Sequence, residues 1–116
     1  MIPDSVRLMK QHNRTVFFDA EHFFDGWAAN PEYALACVEA ALTGGAALVC
    51  LCDTRGGALP GRVAQAIDAV REGHPEARLG VHCHNDSELA VANSLVGVEH
   101  GGQLSRSQLR RRPAAE

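Results

Sequence analysis

Ala46-Ala47-Leu48-Val49-Cys50-Leu51-Cys52 is apolar at every position and stops on Asp53-Thr54. A strand with one wet face alternates apolar and polar residues. An unbroken apolar run bounded by turn residues belongs instead to a strand covered on both faces, as in parallel sheets. The flanks agree. Asn30-Pro31-Glu32 opens a helix with a capping Asn, Pro at the first helical position and an acid in the first turn. Its apolar positions Ala34, Leu35, Val38, Ala41 and Leu42 keep helical spacing, and Gly44-Gly45 stops it. After Thr54 come the Gly56-Gly57 loop and a second helix opening at Pro60, with Val63, Ala66, Ile67 and Val70 on its inward stripe. His74-Pro75 closes that helix, because a residue before proline avoids helical angles.

The same unit recurs on either side. Upstream, Thr15-Val16-Phe17-Phe18 reads as a buried strand ending at Asp19. A short helix to Gln11, capped by Asp4 or Ser5, precedes it, and a polar and aromatic loop from Ala20 to Ala29 follows, with Phe23, Phe24 and Trp27 as hydrophobic cover. Downstream, a third strand runs from Arg78 to Cys83 and its helix from Ser87 to Glu99. Strand centres near Phe17, Val49 and Val81 recur every 32 residues. Three successive βα units predict an α/β fold of parallel strands joined by right-handed crossovers. A barrel and a doubly wound sheet both fit that periodicity.

Each strand ends on polar groups: Asp19 and Glu21, then Asp53 and Thr54, then His82, His84, Asn85 and Asp86. Ligands of parallel α/β folds bind at the carboxyl ends of the strands, so three such ends define a candidate site. Alternate strand residues share a face. His82 and His84 therefore point the same way, about 7 Å apart along the strand, and two imidazoles so placed can share one divalent cation. Cys83 projects to the opposite face. Cys37, Cys50, Cys52 and Cys83 all lie in apolar segments and read as buried reduced thiols, since Cys50-x-Cys52 has neither redox nor zinc-ribbon spacing.

Composition narrows the function. The chain has 116 residues, 46% apolar and 22% charged, which is one soluble domain's worth. No apolar run approaches the roughly 20 residues of a membrane helix, and the first residues carry no basic-then-apolar signal, so a cytoplasmic location is expected. Residues 1–103 hold seven basic against thirteen acidic side chains, while residues 104–116 hold four arginines against Glu116. An acidic body without aromatics among the arginines argues against nucleic-acid binding. Residues 1–102 are expected to form the folded part and residues 103–116 a basic, disordered tail.

Three motifs carry a resemblance. Phe18-Asp19-Ala20-Glu21-His22-Phe23-Phe24-Asp25-Gly26, Cys52-Asp53-Thr54-Arg55-Gly56-Gly57 and Val81-His82-Cys83-His84-Asn85-Asp86, extended by Ala90-Val91-Ala92-Asn93-Ser94-Leu95, resemble the citramalate synthase branch of the 2-isopropylmalate synthase/homocitrate synthase family. The likeness covers residues 4–102. It implies a partial TIM (β/α)8 barrel, related to HMG-CoA lyases and pyruvate carboxyltransferase domains, with strands five to seven present. It further implies an acyltransferase that condenses acetyl-CoA with a 2-oxo acid, pyruvate or 2-oxoisovalerate, for leucine or isoleucine synthesis. A divalent metal (Mg²⁺, Mn²⁺ or Zn²⁺) would polarise the keto oxygen. By motif match, His82 and His84 would be metal ligands and Thr54 would hydrogen-bond the oxo-acid carboxylate. Glu21 would line the same pocket as a catalytic group, with Asp53 and Asn85 in support. The family's Asp-Thr-Thr-Leu-Arg-Asp-Gly segment, which supplies a ligand and an Arg, has no counterpart here, nor does its Asn-Gly…Gly-Glu-Arg…Gly-Asn segment. A barrel takes about 250 residues. The resemblance thus implies an internal piece, inactive alone: an orphan fragment or a split-barrel subunit that oligomerises or is completed by another chain. A lyase relative with the same metal site is the other reading.

Overall fold

The computed structural model describes residues 1–108. Its elements are α1 (Ile2–Gln11), β1 (Phe17–Ala20), α2 (Phe23–Ala29), α3 (Pro31–Gly44), β2 (Leu48–Asp53), α4 (Pro60–Gly73), β3 (Leu79–His84), α5 (Ala90–Glu99) and β4 (Gly102–Gln108). The four strands form one sheet in the order β1-β2-β3-β4, every neighbouring pair parallel.

Strand order separates the two architectures that periodicity left open. A doubly wound sheet reverses its order and so places helices on both faces. Here the order never reverses. Phe18, Ala20, Val49, Leu51, Leu79, Val81 and Cys83 of the sheet pack with Val38 and Ala41 of α3, Val63, Ile67 and Val70 of α4 and Ala90 of α5 in one cluster. Leu48, Cys50 and Cys52, on alternate positions of β2, form a separate cluster on the other face. Strands in sequence order with their helices on one side are an arc of a TIM barrel, whose concave face bears Cys50, Cys52, His82 and His84. All six residues of β2 are buried, as the apolar run predicts.

Local chemistry accounts for the helices. The Asn30 side chain accepts a hydrogen bond from Tyr33 N at 3.1 Å, a cap worth about 1 kcal/mol. Gly45, at φ 102°, ends α3 in the left-handed conformation that glycine adopts without cost. Val63, Ile67 and Val70 are fully buried, each contributing roughly 1.5–3 kcal/mol over exposure.

The structure departs from the sequence expectations at several places. The strand read as buried over Thr15–Phe18 runs instead from Phe17 to Ala20 as an edge strand, with Phe17 and Asp19 exposed. The stretch read as a loop contains α2, with Phe23 and Phe24 buried and their rings edge-to-face at 5.3 Å. The first helix begins at Ile2, ahead of the expected Asp4 or Ser5 cap, with Pro3 in its first turn. The last begins at Ala90 rather than Ser87, because Glu88 takes a left-handed φ of 61°. Residues 103–108, expected in a disordered tail, lie in β4, whose backbone pairs with β3 from Gly102 to Gln108. Arg110, Arg111 and Arg112 lie outside the described residues.

Candidate functional site

The carboxyl ends of β1, β2 and β3 bring most of the sequence-predicted residues to one rim. Glu21 follows β1 and Thr54 follows β2. The Thr54 hydroxyl donates to Glu21 Oε2 at 2.8 Å and accepts from the His22 amide at 2.7 Å. Both partners orient the hydroxyl, which commits its one proton to the Glu21 carboxyl. His22 holds φ at 56°, a left-handed conformation sparsely used by non-glycine residues. That strain turns its amide toward Thr54, and its ring Nδ1 lies 3.2 Å from Asp25 Oδ2 at the start of α2.

Asp53 closes β2 and is 1% exposed. Its Oδ2 accepts from the Ala58 amide at 3.2 Å, folding the glycine loop back over the strand end. Its Oδ1 is buried with no hydrogen-bond partner among the described residues. Burial raises its carboxyl above the usual value of 3.8, against the lowering effect of the Ala58 hydrogen bond and the nearby Gly57 and Gly56 amides. Asn93 of α5 grips the same loop: fully buried, it donates Nδ2 to the Ala58 carbonyl at 2.8 Å. Asp53 and Asn93 therefore hold the two sides of one peptide segment.

Asn85 acts on its own loop. Its Oδ1 accepts from the Ala90 amide at 3.1 Å, satisfying one of the free donors at the start of α5. The sequence reading placed Asn85 in support of the pocket; its observed contact braces the helix that follows. The loops after β2 and β3 are joined through Gly56, whose carbonyl accepts from the Ser87 amide at 3.1 Å.

His82 and His84 share the concave face, both partly exposed, with ring centroids 5.0 Å apart and planes at 63°. Neither ring has a hydrogen bond within the described residues, so the ring nitrogens are available to a cation. Two imidazoles suit Zn²⁺ as a partial donor set, and catalytic sites add a third protein ligand. Among the described residues, the three-membered group with metal-ligand spacing is a different one: Asp19, Cys50 and Cys52. Sequence reasoning missed it because Asp19 meets the cysteines only through the β1–β2 register. Cys83 lies on the helix-covered face, fully buried, and burial first of all pushes its thiol up to about 11.

A cavity of about 170 Å³ opens beside Glu21 at the β1 edge, lined by Ile2, Phe18, Asp19, Tyr33 and Cys37 among others. It does not include His82 or His84. The structure thus joins Glu21 to Thr54 directly, while the imidazole pair stands further along the same sheet face.

Comparison with known proteins follows this geometry. The chain is 52% identical over 103 residues to the (R)-citramalate synthase of Aquifex aeolicus, covering 89% of this chain and 20% of that protein. It is 38% identical over 106 residues to a 2-isopropylmalate synthase of Rhodopseudomonas palustris, again over 89% of this chain and 20% of the relative. The chain spans about a fifth of the length of the relatives it matches. Among solved structures, the HMG-CoA lyase of Bacillus subtilis superposes with a TM-score of 0.73 at 19% identity, over 91% of this chain and 37% of that one, a likeness of fold. No helix among the described residues is long and apolar enough to cross a membrane. A family model described as HMGL-like matches residues 1–106, and the chain belongs to that family.

Proposed function

We propose that this chain carries the metal-binding and oxo-acid-binding face of a cytoplasmic acyltransferase that condenses acetyl-CoA with a 2-oxo acid. Pyruvate, giving citramalate, is favoured over 2-oxoisovalerate by the higher identity to the citramalate synthase relative. The observation that carries the reading is the pair of imidazoles on the concave face, without hydrogen bonds among the described residues, at the same strand ends as an oriented Thr54–Glu21 pair. His82 and His84 would hold a divalent ion, Mg²⁺, Mn²⁺ or Zn²⁺. When bound, such an ion supplies Lewis-acid polarisation of a keto oxygen.

The chain's own groups do the rest. Thr54 donates its proton to the oxo-acid carboxylate in place of Glu21. Glu21, released from that bond, would take the proton that the acetyl methyl group loses as the carbon–carbon bond forms. Asp53 and Asn93 clamp the loop that positions Thr54, and Asn85 fixes the loop after His84. A second reading, a non-catalytic fragment or a split-barrel subunit completed by another chain, is favoured by β1 and β4, each of which has one strand neighbour among the described residues.

Mn²⁺ titration followed by electron paramagnetic resonance tests the metal reading. His82→Ala and His84→Ala should each weaken Mn²⁺ by more than about tenfold, since even groups that only brace ligands are worth 10–100-fold. Pyruvate should tighten Mn²⁺ in the unaltered chain but not in Thr54→Val. Unchanged Mn²⁺ affinity in the double histidine variant would overturn the assignment. With acetyl-CoA, pyruvate and Mn²⁺ the chain alone should release no CoA; thiol release above background would show that it works unaided.

A further inference from the structure

The concave face carries a second set of ligand-type side chains that the function above does not use. Asp19 on β1 stands in register with Cys50 on β2, and Cys52, two residues on, projects from the same side. A carboxylate oxygen of Asp19 and the two sulfurs all lie within 4.8 Å of one another. The cysteines are only 4% and 2% exposed, whereas Asp19 is exposed. The sulfurs are thus shielded from solvent while the carboxylate gives a cation its way in.

We propose that Asp19, Cys50 and Cys52 form a second metal site, for a thiophilic divalent cation such as Zn²⁺ held by two sulfurs and one oxygen. Donor type argues for the cation: thiolates select Zn²⁺ or Cd²⁺ over Mg²⁺ and Mn²⁺, so this site and the imidazole pair would sort metals differently. Size argues for feasibility. Tetrahedral Zn²⁺, with Zn–S near 2.3 Å and Zn–O near 2.0–2.2 Å, sets its ligand atoms about 3.5–3.8 Å apart. From an outer limit of 4.8 Å the donors need close by no more than about 1.3 Å, a movement side-chain rotation supplies while the strand ladder stays fixed. The 3.7 Å contact from the Cys52 thiol to the Cys50 carbonyl is given up in exchange. On binding, two S–H bonds break, two metal–sulfur bonds form and both protons pass to solvent; nothing is oxidised. Three protein ligands leave a fourth position to water. The cation would tie β1, a four-residue edge strand, to the buried β2.

Titration of the full chain with Co²⁺ alone, then displacement by Zn²⁺, tests the site. A thiolate-to-cobalt charge-transfer band should appear in the near ultraviolet and vanish as Zn²⁺ is added. Cys50→Ser and Cys52→Ser should each abolish most of the band and weaken binding by at least about tenfold. Asp19→Asn should weaken binding with the band retained, and Cys37→Ser should leave both unchanged. X-ray absorption at the zinc edge reads the unaltered chain directly, so misfolded serine variants do not blunt the test. One equivalent of Zn²⁺ should show two sulfur scatterers. A shell of nitrogen and oxygen only, or a band that survives both serine substitutions, would overturn the proposal. Because Mn²⁺ binding at His82 and His84 gives no such band, loss of this site leaves the functional reading standing, and the reverse also holds.

Discussion

Gly56 is where the two strand-end loops touch. Its φ is 67°, and a Cβ added there would lie 2.8 Å from the Asp86 amide nitrogen and 3.0 Å from the His84 carbonyl oxygen. Both obstacles are backbone and cannot rotate away. Gly56→Ala should therefore destabilise the fold by roughly 1–3 kcal/mol in urea unfolding, from left-handed strain plus overpacking. Next to it, Asp53 predicts a pH effect. Burial holds its carboxyl above 3.8, so the native state keeps this proton more tightly than the unfolded chain does. Its favourable contribution is complete below 3.8 and is lost as pH rises through the raised native value. Asp53→Asn keeps an oxygen for the Ala58 amide and removes the charge. The urea midpoint of the variant should lack the decline that the unaltered chain shows as pH rises above 3.8; parallel profiles would refute the assignment. At this scale the sequence was partly legible. His82 and His84 share a face by strand alternation alone, whereas the Thr54–Glu21 bond spans 33 positions and depends on where two strands end.

Helix α5 seats on β3 through a missing side chain. A Cβ on Gly97 would come within 2.5 Å of Val81 Cγ2. Gly97→Ala should cost about 1–3 kcal/mol by overpacking. Adding Val81→Ala should return part of that loss, so that the double variant falls short of the sum by about 0.5–3 kcal/mol in equilibrium unfolding. Additive losses would mean that α5 shifts away from the sheet. Elements with strong local chemistry were readable without tertiary information: α3 has its Asn-Pro start and Gly stop, and β2 its unbroken apolar run. Helix α2 was not. It is seven residues long, contains Gly26, and begins after His22 with no side-chain cap. Its stability comes from burying Phe23 and Phe24, which periodicity in so short a segment does not reveal. Strand β4 was hidden for a different reason. Gly-Gln-Leu-Ser-Arg-Ser-Gln has little β propensity, and its conformation follows from the backbone ladder that β3 offers.

An arc of barrel has a physical problem that a closed barrel lacks. Among the described residues β1 bonds only to β2, and β4 only to β3, so each presents an outer row of strand amides and carbonyls. Protein edges are commonly blunted by charge, bulges or proline. β1, with the sequence Phe17-Phe18-Asp19-Ala20, carries one charge and leaves Phe17 58% exposed. Parallel edges with an exposed aromatic side chain are templates for further strands, whether from a second copy or from a complementary barrel segment. The 116-residue chain by itself should therefore associate as its concentration rises. Sedimentation velocity over a dilution series would show the weight-average mass climbing above that of one chain. Phe17→Lys should lower that association without reducing stability, because the side chain it replaces contributes little to the core. A single monomeric species at every concentration would mean that the edges are already satisfied, and would remove the physical support for a split-barrel partner. If association persists undiminished in Phe17→Lys, the contact runs through the β4 edge instead, and a charged substitution there becomes the deciding comparison.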